Sequence, residues 1–243
     1  MSALMRTAQP EAILALGREA SKMAYGAATA RRQIVVTADG VELAGVVQLP
    51  TDPVGAVVFA HGTGGSDLSP LNTRVASALN GAGLATLLCD LLTPAEAEDR
   101  RNVFDIPLLA RRLTGATAWL ATDAEAGGLP VGCFAASTGA AAALCAAATG
   151  ARLQTIVSHD GRPDLAREGL HQVRTPTLLI VGSFDMASLE LNEEARMHMH
   201  CECELQLVPG ATHLFEEPRA LEIVAQLARD WFLTHLGSEL PWV

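Results

Sequence analysis

Apolar and polar residues alternate on both sides of Asp39-Gly40, and this pattern predicts an antiparallel β-hairpin. In the segment RQIVVTADGVELAGVVQLP, residues 32–50, apolar side chains recur at about every second position, as they do on a strand with one buried face. Asp-Gly strongly favours a two-residue turn because both residues tolerate a positive φ. A helical extension is predicted before the hairpin, in residues 1–30.

Downstream of the hairpin, short apolar runs alternate with segments of helical length. The run GAVVFAHG precedes a predicted helix with Ser69 as its N-cap and Pro70 at its first position. Five further strands are predicted by LATLLCDLL, LPVGCFAAS, LQTIVSHDG, PTLLIVGSFD and CELQLVPGATH. A strand that is apolar along its whole length is typical of a parallel sheet covered on both faces. We therefore expect a single α/β domain over residues 1–243, with a mostly parallel sheet of about eight strands and helices on both faces.

Four of these strands are followed by residues that can take part in catalysis. They are the glycine-rich loop HGTGGS, which begins at His61, and three single residues, Ser137, Asp185 and His213. In a parallel sheet the carboxyl ends of the strands form one edge, where ligands bind. Ser137 alone would be interpreted as a helix N-cap, because serine is a favoured capping residue. Together the three residues follow the chain order of nucleophile, acid and base in the α/β-hydrolase triad.

The residues around Ser137 fit a sharp turn from strand to helix. In a nucleophile elbow the residues two positions before and after the nucleophile must be small, and Ala135 and Gly139 meet this requirement. Ala135 replaces the first glycine of the motif G-x-S-x-G, and we expect the turn to tolerate its methyl group. The alanine-rich helix that follows has short side chains, which allow it to lie close to the sheet.

Four segments, VVFAHGTGGS, VGCFAASTGAAAAL, TLLIVGSFD and VPGATHLFEEP, together resemble the dienelactone-hydrolase-like branch of the α/β-hydrolase superfamily. The resemblance begins near Arg32 and covers nearly all of the remaining chain. It implies an α/β-hydrolase fold and assigns Ser137, Asp185 and His213 to the three catalytic positions. Dienelactone hydrolases proper have a cysteine nucleophile, so the serine argues against a dienelactone substrate. The segment after the sixth strand is too short for a large lid domain.

The predicted chemistry is hydrolysis through an acyl-enzyme. His213 is the base that activates the serine, and Asp185 fixes the tautomer of the base. The backbone N–H groups of Thr63 and Thr138 are the expected donors to the oxyanion. Asp160, in the segment SHDGRPD, also follows a strand and is the alternative acid.

The function predicted from these residues is that of a carboxylesterase-like serine hydrolase that acts on an ester, thioester or lactone of a small molecule, without a cofactor. The alternative is an inactive hydrolase-fold module that binds a ligand or a partner, and Ala135 is its only support. The triad order favours the enzyme, because a binding module does not need three such groups in this order.

Other classes of function find little support in the sequence. A phosphate-binding Walker loop needs a lysine after its glycines, and the only lysine of the chain is Lys22. The segment HMHCEC, from His198 to Cys203, contains residue types that bind metals, but its place between a helix and a strand favours surface and edge positions, so no metal site is expected. A net charge of −10, from 17 basic and 27 acidic residues, argues against nucleic acid as a partner.

Several features predict a cytoplasmic location. The N-terminal sequence does not match a secretory signal, and no apolar segment is long enough to span a membrane. The five cysteines are odd in number, and three of them lie in apolar runs, which favours a reducing environment. The apolar tail ELPWV is expected to pack on the domain or on a second copy of the chain, so the sequence does not decide between a monomer and a homodimer.

Overall fold

A computed structural model describes residues 29–61 and 69–237 of the chain. Three sequence-based predictions fall outside the described residues. They are the N-terminal helix, the position of Thr63 in the glycine-rich loop, and the packing of the tail ELPWV.

The predicted hairpin forms one edge of the sheet. β1 (Ala30–Ala38) pairs antiparallel with β2 (Val41–Leu49). The two turn residues, Asp39 and Gly40, have φ angles of 46° and 79°. Both values lie in the left-handed region that this type of turn requires.

Within the described residues, eight strands form one sheet in the order β1-β2-β4-β3-β5-β6-β7-β8. β2 is antiparallel to both of its neighbours, and all pairs from β4 to β8 are parallel. The prediction of a mostly parallel sheet is therefore confirmed. The six strands after the hairpin are β3 (Gly55–His61), β4 (Leu84–Asp90), β5 (Val131–Ser137), β6 (Thr155–Gly161), β7 (Thr177–Gly182) and β8 (Cys203–Val208).

Helices cover both faces of this sheet, as predicted. They are α1 (Pro70–Gly81), α2 (Pro94–Ala97), α3 (Arg100–Val103), α4 (Ile106–Thr122), α5 (Thr138–Ala148), α6 (Met186–His198) and α7 (Ala220–Leu236), with a 3₁₀ helix over Pro163–Gln172. The helices α1 and α7 contribute to the apolar core on one face, and α4, α5 and α6 contribute to the core on the other. In the described part of the chain, no helix is both long enough and apolar enough to cross a membrane.

Between β4 and β5 the sequence predicts one helix, from Val103 to Ala121, and the structure differs from this prediction. Three helices, α2, α3 and α4, occupy the segment instead. The side chain of Asp105 accepts a hydrogen bond from the N–H of Leu108 at 3.0 Å and so caps α4. Pro107 has no N–H to continue a helix from the preceding turn. A new helix therefore begins after Asp105.

The alanines of α5 allow this helix to lie directly on the sheet, as predicted. Ala140 and the three alanines that follow it are fully buried. A Cβ added to Gly161, at the end of β6, would lie only 2.5 Å from the Cβ of Ala140. Larger side chains at these positions would push α5 away from the sheet, so the turn that leads from β5 into α5 depends on small residues.

The helix α4 lies equally close to the hairpin at Gly115. A Cβ added to Gly115 would lie 2.5 Å from the Cβ of Ala38 and 2.9 Å from its Cα. We expect Gly115→Ala to lower the free energy of unfolding by about 1–3 kcal/mol through overpacking, although alanine has the higher helix propensity. Urea denaturation measures this change. Gly169→Ala is the control, because an added Cβ there meets Ala148 at an ordinary 3.5 Å. A Gly115→Ala variant as stable as the wild type would contradict the close contact.

Candidate active site

Ser137 is the last residue of β5, and its backbone turns sharply into α5. Its φ of 49° and ψ of −127° lie in a region that residues other than glycine rarely adopt. The side chain is exposed and makes no capping hydrogen bond to α5. Ser137 thus stands at the N-cap position of α5, but its hydroxyl does not cap the helix and lies at the surface.

The turn at Ser137 closes with alanine where the motif G-x-S-x-G has glycine. Ala135 is fully buried, so its methyl group fits beneath the turn. The pairing of β5 with β6 shifts in register between Ala136 and Ser137. The N–H of Arg162 then donates a hydrogen bond to the carbonyl oxygen of Ser137 at 3.0 Å. This bond ties the turn to the segment after β6.

Thr138 is the buried first residue of α5. The N–H groups in the first turn of a helix have no acceptor within the helix and form the positive end of its dipole. The N–H of Thr138 thus belongs to a helix start that favours negative charge beside Ser137. The other predicted oxyanion donor, Thr63, lies outside the described residues.

Asp185 caps the N-terminus of α6 and contacts His213. Its Oδ1 accepts a hydrogen bond from the N–H of Ser188 at 3.1 Å, and its Oδ2 accepts one from the Ser188 hydroxyl at 2.6 Å. The same Oδ2 lies 2.8 Å from Nδ1 of His213. Burial opposes the negative charge, but the hydrogen bonds from Ser188 and His213 outweigh it and lower the pKa of Asp185 to about 2.

Asp160 contacts the same nitrogen of His213. It lies near the end of β6 with a φ of 47°, and its Oδ2 is 2.7 Å from Nδ1 of His213. Burial and the charge of Asp185 raise the pKa of Asp160 to about 6, although the charge of His213 opposes this shift. The two aspartates that the sequence presents as alternatives are thus brought together on one imidazole.

The loop after β8, which carries His213, is held against the end of β7. A Cβ added to Gly182 would lie 2.5 Å from the carbonyl oxygen of Ala211, so the loop can approach this closely because Gly182 has no side chain. The N–H of Phe184 donates a hydrogen bond to the same oxygen at 2.9 Å. This contact brings His213 back across β7 toward both aspartates.

Three residues that support the site were not identified from the sequence. Ser188 binds Asp185, Gly182 permits the approach of the loop, and Glu217 accepts a hydrogen bond from the N–H of Thr212 at 3.0 Å. The spacing Asp-x-x-Ser at the start of a helix is a capping pattern and could have revealed Ser188. The roles of Gly182 and Glu217 depend on contacts in space that no sequence pattern shows.

Asp160, Asp185 and His213 also form the group of ligand-type side chains in the described residues that lies close enough together to hold a metal ion. One imidazole nitrogen of His213 lies 2.8 Å from Asp185, to which it is hydrogen-bonded, and 2.7 Å from Asp160, with which it is at ion-pair distance. Residues of the segment HMHCEC do not take part in this group. Cys203 lies in β8, the edge strand of the sheet, where its Sγ is 3.7 Å from the sulfur of Met199.

Comparison with known proteins identifies the family, although no family model matches the chain. A dienelactone hydrolase from Anabaena variabilis is 47% identical in sequence, and its crystal structure superposes with a TM-score of 0.82. The match covers 86% of this chain and 99% of that one. The chain belongs to the dienelactone-hydrolase-like branch of the α/β-hydrolases.

Two other proteins that match the chain are more distant in sequence or much longer. The esterase Est1E from Butyrivibrio proteoclasticus matches with a TM-score of 0.71 over 85% of this chain and 99% of its own, but it is only 16% identical, so it shows the fold alone. A Mycobacterium tuberculosis protein provisionally named a phosphoribosyl transferase is 55% identical over 210 residues, which are 86% of this chain and 47% of that protein. The chain therefore spans about half the length of this relative.

The two aspartates are expected to change protein stability in opposite directions at neutral pH. The pKa of Asp160 is raised in the folded protein, so its stabilising contribution is complete below about pH 4 and is lost as the pH rises through about 6. We expect the stability of Asp160→Asn relative to the wild type to grow by about 1 kcal/mol between pH 5 and pH 8. Urea denaturation at the two pH values measures the difference.

Asp185→Asn is the matched control for this experiment. The depressed pKa of Asp185 gives stability that is present above the unfolded pKa of 3.8 and is lost as the pH falls toward 2. Asp185→Asn should therefore be less stable than the wild type at both pH 5 and pH 8. A stability difference for Asp160→Asn that does not depend on pH would contradict the raised pKa.

Proposed function

We propose that the protein is a carboxylesterase-like serine hydrolase that cleaves an ester, thioester or lactone of a small molecule through an acyl-enzyme. The observation that carries this proposal is the position of Ser137, which is exposed, has a strained backbone and does not cap α5. It ends β5 at the same carboxyl edge of the sheet at which His213 contacts Asp160 and Asp185. Membership of a hydrolase family supports it independently.

In the proposed reaction, Nε2 of His213 takes the proton of the Ser137 hydroxyl as the oxygen attacks the carbonyl carbon of the substrate. The oxyanion that forms accepts hydrogen bonds from the N–H of Thr138 and, in our assignment, from that of Thr63. The imidazolium then returns its proton to the leaving oxygen or sulfur as the C–O or C–S bond of the substrate breaks, which releases an alcohol or thiol, or opens a lactone ring, and leaves an acyl-serine. Water, activated by the same histidine, hydrolyses this acyl group and restores the free serine.

The cysteines do not offer an alternative nucleophile to Ser137. Burial raises the pKa of Cys89 to about 12 and raises that of Cys133 as well. Cys145, Cys201 and Cys203 also have pKa values that burial raises. The thiolate form, which is the nucleophile, is therefore disfavoured at each of them, and the proposal rests on the serine. All five cysteines are free thiols, which fits the cytoplasm as the proposed location.

An apolar surface beside the triad indicates the kind of substrate. Phe184 and Met186 flank Asp185 and are 71% and 59% exposed, and Leu214, which follows His213, is 63% exposed. Large apolar side chains clustered in sequence around catalytic positions favour a substrate with an apolar group next to the scissile bond. We therefore propose a small ester with an apolar acyl or alcohol part.

The name of the mycobacterial relative does not change this proposal. The chain covers 47% of that protein but 99% of a dienelactone hydrolase. If the relative transfers phosphoribosyl groups, we infer that the part of it that the chain does not cover does so. The alternative of an inactive binding module had Ala135 as its support, and the proposal of an enzyme is supported instead by the burial of Ala135 beneath the turn, which its methyl group does not prevent from closing.

Substitution of the proposed nucleophile tests the function directly. We expect Ser137→Ala to lower kcat for p-nitrophenyl acetate by about 10⁴-fold or more and to abolish labelling by a fluorophosphonate probe. Ser77→Ala, which changes an exposed serine on α1, is the control and should keep wild-type activity. A folded wild-type protein that neither reacts with the probe nor cleaves any ester of a panel would refute the proposal.

Truncation of Phe184 tests the proposed substrate class. Phe184→Ala should raise KM for p-nitrophenyl hexanoate by about 5-fold or more and change KM for the acetate by less than about 2-fold, because only the longer chain reaches the apolar surface. Met197→Ala is the control, since Met197 is 74% exposed but lies about 18 Å along α6 from Asp185. Equal effects on both esters would show that Phe184 does not select the acyl chain.

A further inference from the structure

The structure places two carboxylates on one nitrogen of His213, although a triad requires only one. We propose that Asp160 is a second positioning residue, so that Asp160 and Asp185 together orient His213 and stabilise the imidazolium. This inference rests on the proposed hydrolase function. It goes further because it assigns a role to a residue that the three-residue mechanism leaves unused.

The contact does not arise from a flexible side chain on the surface. The side chain of Asp160 is 9% exposed, and its backbone φ of 47° is one that aspartate adopts at some cost in energy. Behind it, the side-chain amide of Asn192 in α6 donates a hydrogen bond to the carbonyl oxygen of Gly161 at 3.2 Å. The end of β6 is thus built so that Asp160 points toward His213, 2.7 Å away.

A purely structural role does not account for Asp160. Its Oδ1 is buried and has no hydrogen-bond partner in the described part of the chain. The positive charge of Arg162 is engaged by Asp164, at 2.8 Å, and not by Asp160. A buried carboxylate whose one close cationic partner is a histidine destabilises the fold unless that histidine becomes charged. His213 does become charged in the proposed reaction.

The groups that face Asp160 come from two sides. They are Asp185 and Ser188 at the start of α6, and His213 on the loop after β8. β5 and β7, which flank β6, and α5, which packs on it, contain no acidic or basic residue. The helix α7 also packs on β6, where the indole N–H of Trp231 donates a hydrogen bond to Thr155 at the opposite end of the strand from Asp160, and no charged group of α7 shifts the pKa of Asp160. The ionisation of Asp160 is therefore governed by this one cluster.

The number of protons bound by the cluster of Asp160, Asp185 and His213 changes with pH. One N–H of His213 cannot satisfy two ionised carboxylates fully, and below about pH 6 Asp160 keeps its own proton. Above that pH both carboxylates are ionised, and both favour the transfer of a proton from Ser137 to His213. We therefore expect kcat/KM to depend on the charge of Asp160 as well as on that of His213.

The test compares Asp160→Asn, Asp185→Asn and the double variant. If the carboxylates share one role, each single variant should lose about 10-fold in kcat/KM for p-nitrophenyl acetate, and the double variant about 10⁴-fold. Asp160→Asn should also change the pH profile of kcat/KM between pH 5 and pH 8. Asp160→Ser is a second variant in case the asparagine variant does not fold.

A spectroscopic measurement keeps this inference separate from the proposed function. In ¹⁵N NMR spectra of histidine-labelled protein, the neutral His213 should keep its proton on Nδ1 in each single variant and lose this preference only in the double variant. If the wild type cleaves no ester but shows this pattern, the proposed function fails and the positioning role stands. If Asp185→Asn alone removes the Nδ1–H tautomer, or if both Asp160 variants keep wild-type kcat/KM and pH profile, Asp160 is not a positioning residue.

Discussion

The sharp turn from β5 into α5 is the constraint on which the rest of the site depends. A residue with positive φ at the end of a buried strand carries its side chain out of the sheet, but only if the helix that follows returns across the sheet at once. The helix α5 can do this because its buried face is alanine and because Gly161 leaves room for Ala140. The hydroxyl of Ser137 and the N–H of Thr138 belong to the same turn, so any change that lifts α5 would displace both groups together.

The order of strands brings the other groups to this turn. β5, β6, β7 and β8 are consecutive neighbours in the sheet, and parallel strands lie about 5 Å apart. Asp160, on the strand between the serine and the second aspartate, is therefore closer to the centre of the site than its place in the chain indicates. His213 lies on the loop that follows β8, the outermost of these strands, and reaches the centre only because Gly182 allows this loop to cross the end of β7.

Much of this architecture could be predicted because it depends on local patterns. The alternation of apolar and polar residues around Asp39-Gly40 predicted the hairpin. The apolar runs predicted the parallel strands, and the ends of these strands located the polar residues of the candidate site. Among the features that could not be predicted, two concern the proposed catalytic residues themselves. The choice between a cap and an exposed hydroxyl at Ser137 depends on its backbone φ and ψ, which Ala135 and the packing of α5 determine. The joint contact of Asp160 and Asp185 with His213 depends on the spatial order of the strands. The sequence alone therefore presents the two aspartates as alternative acids.

Placing two carboxylates beside one imidazole is energetically unfavourable while His213 is neutral, and proton transfer to His213 in the proposed reaction relieves this cost. Asp185 is stabilised by Ser188 and by the start of α6 whether or not His213 is charged. The Ser188 hydroxyl also favours the ionised form of Asp160, but burial and the charge of Asp185 outweigh this effect. The ionised form of Asp160 is therefore poorly stabilised while His213 is neutral and well stabilised once His213 has taken a proton. An interaction that is stronger in the charged transition state than in the resting enzyme lowers the barrier and not merely the energy of binding. The aspartate that weakens the fold at neutral pH is thus the one whose charge gains most from proton transfer to His213.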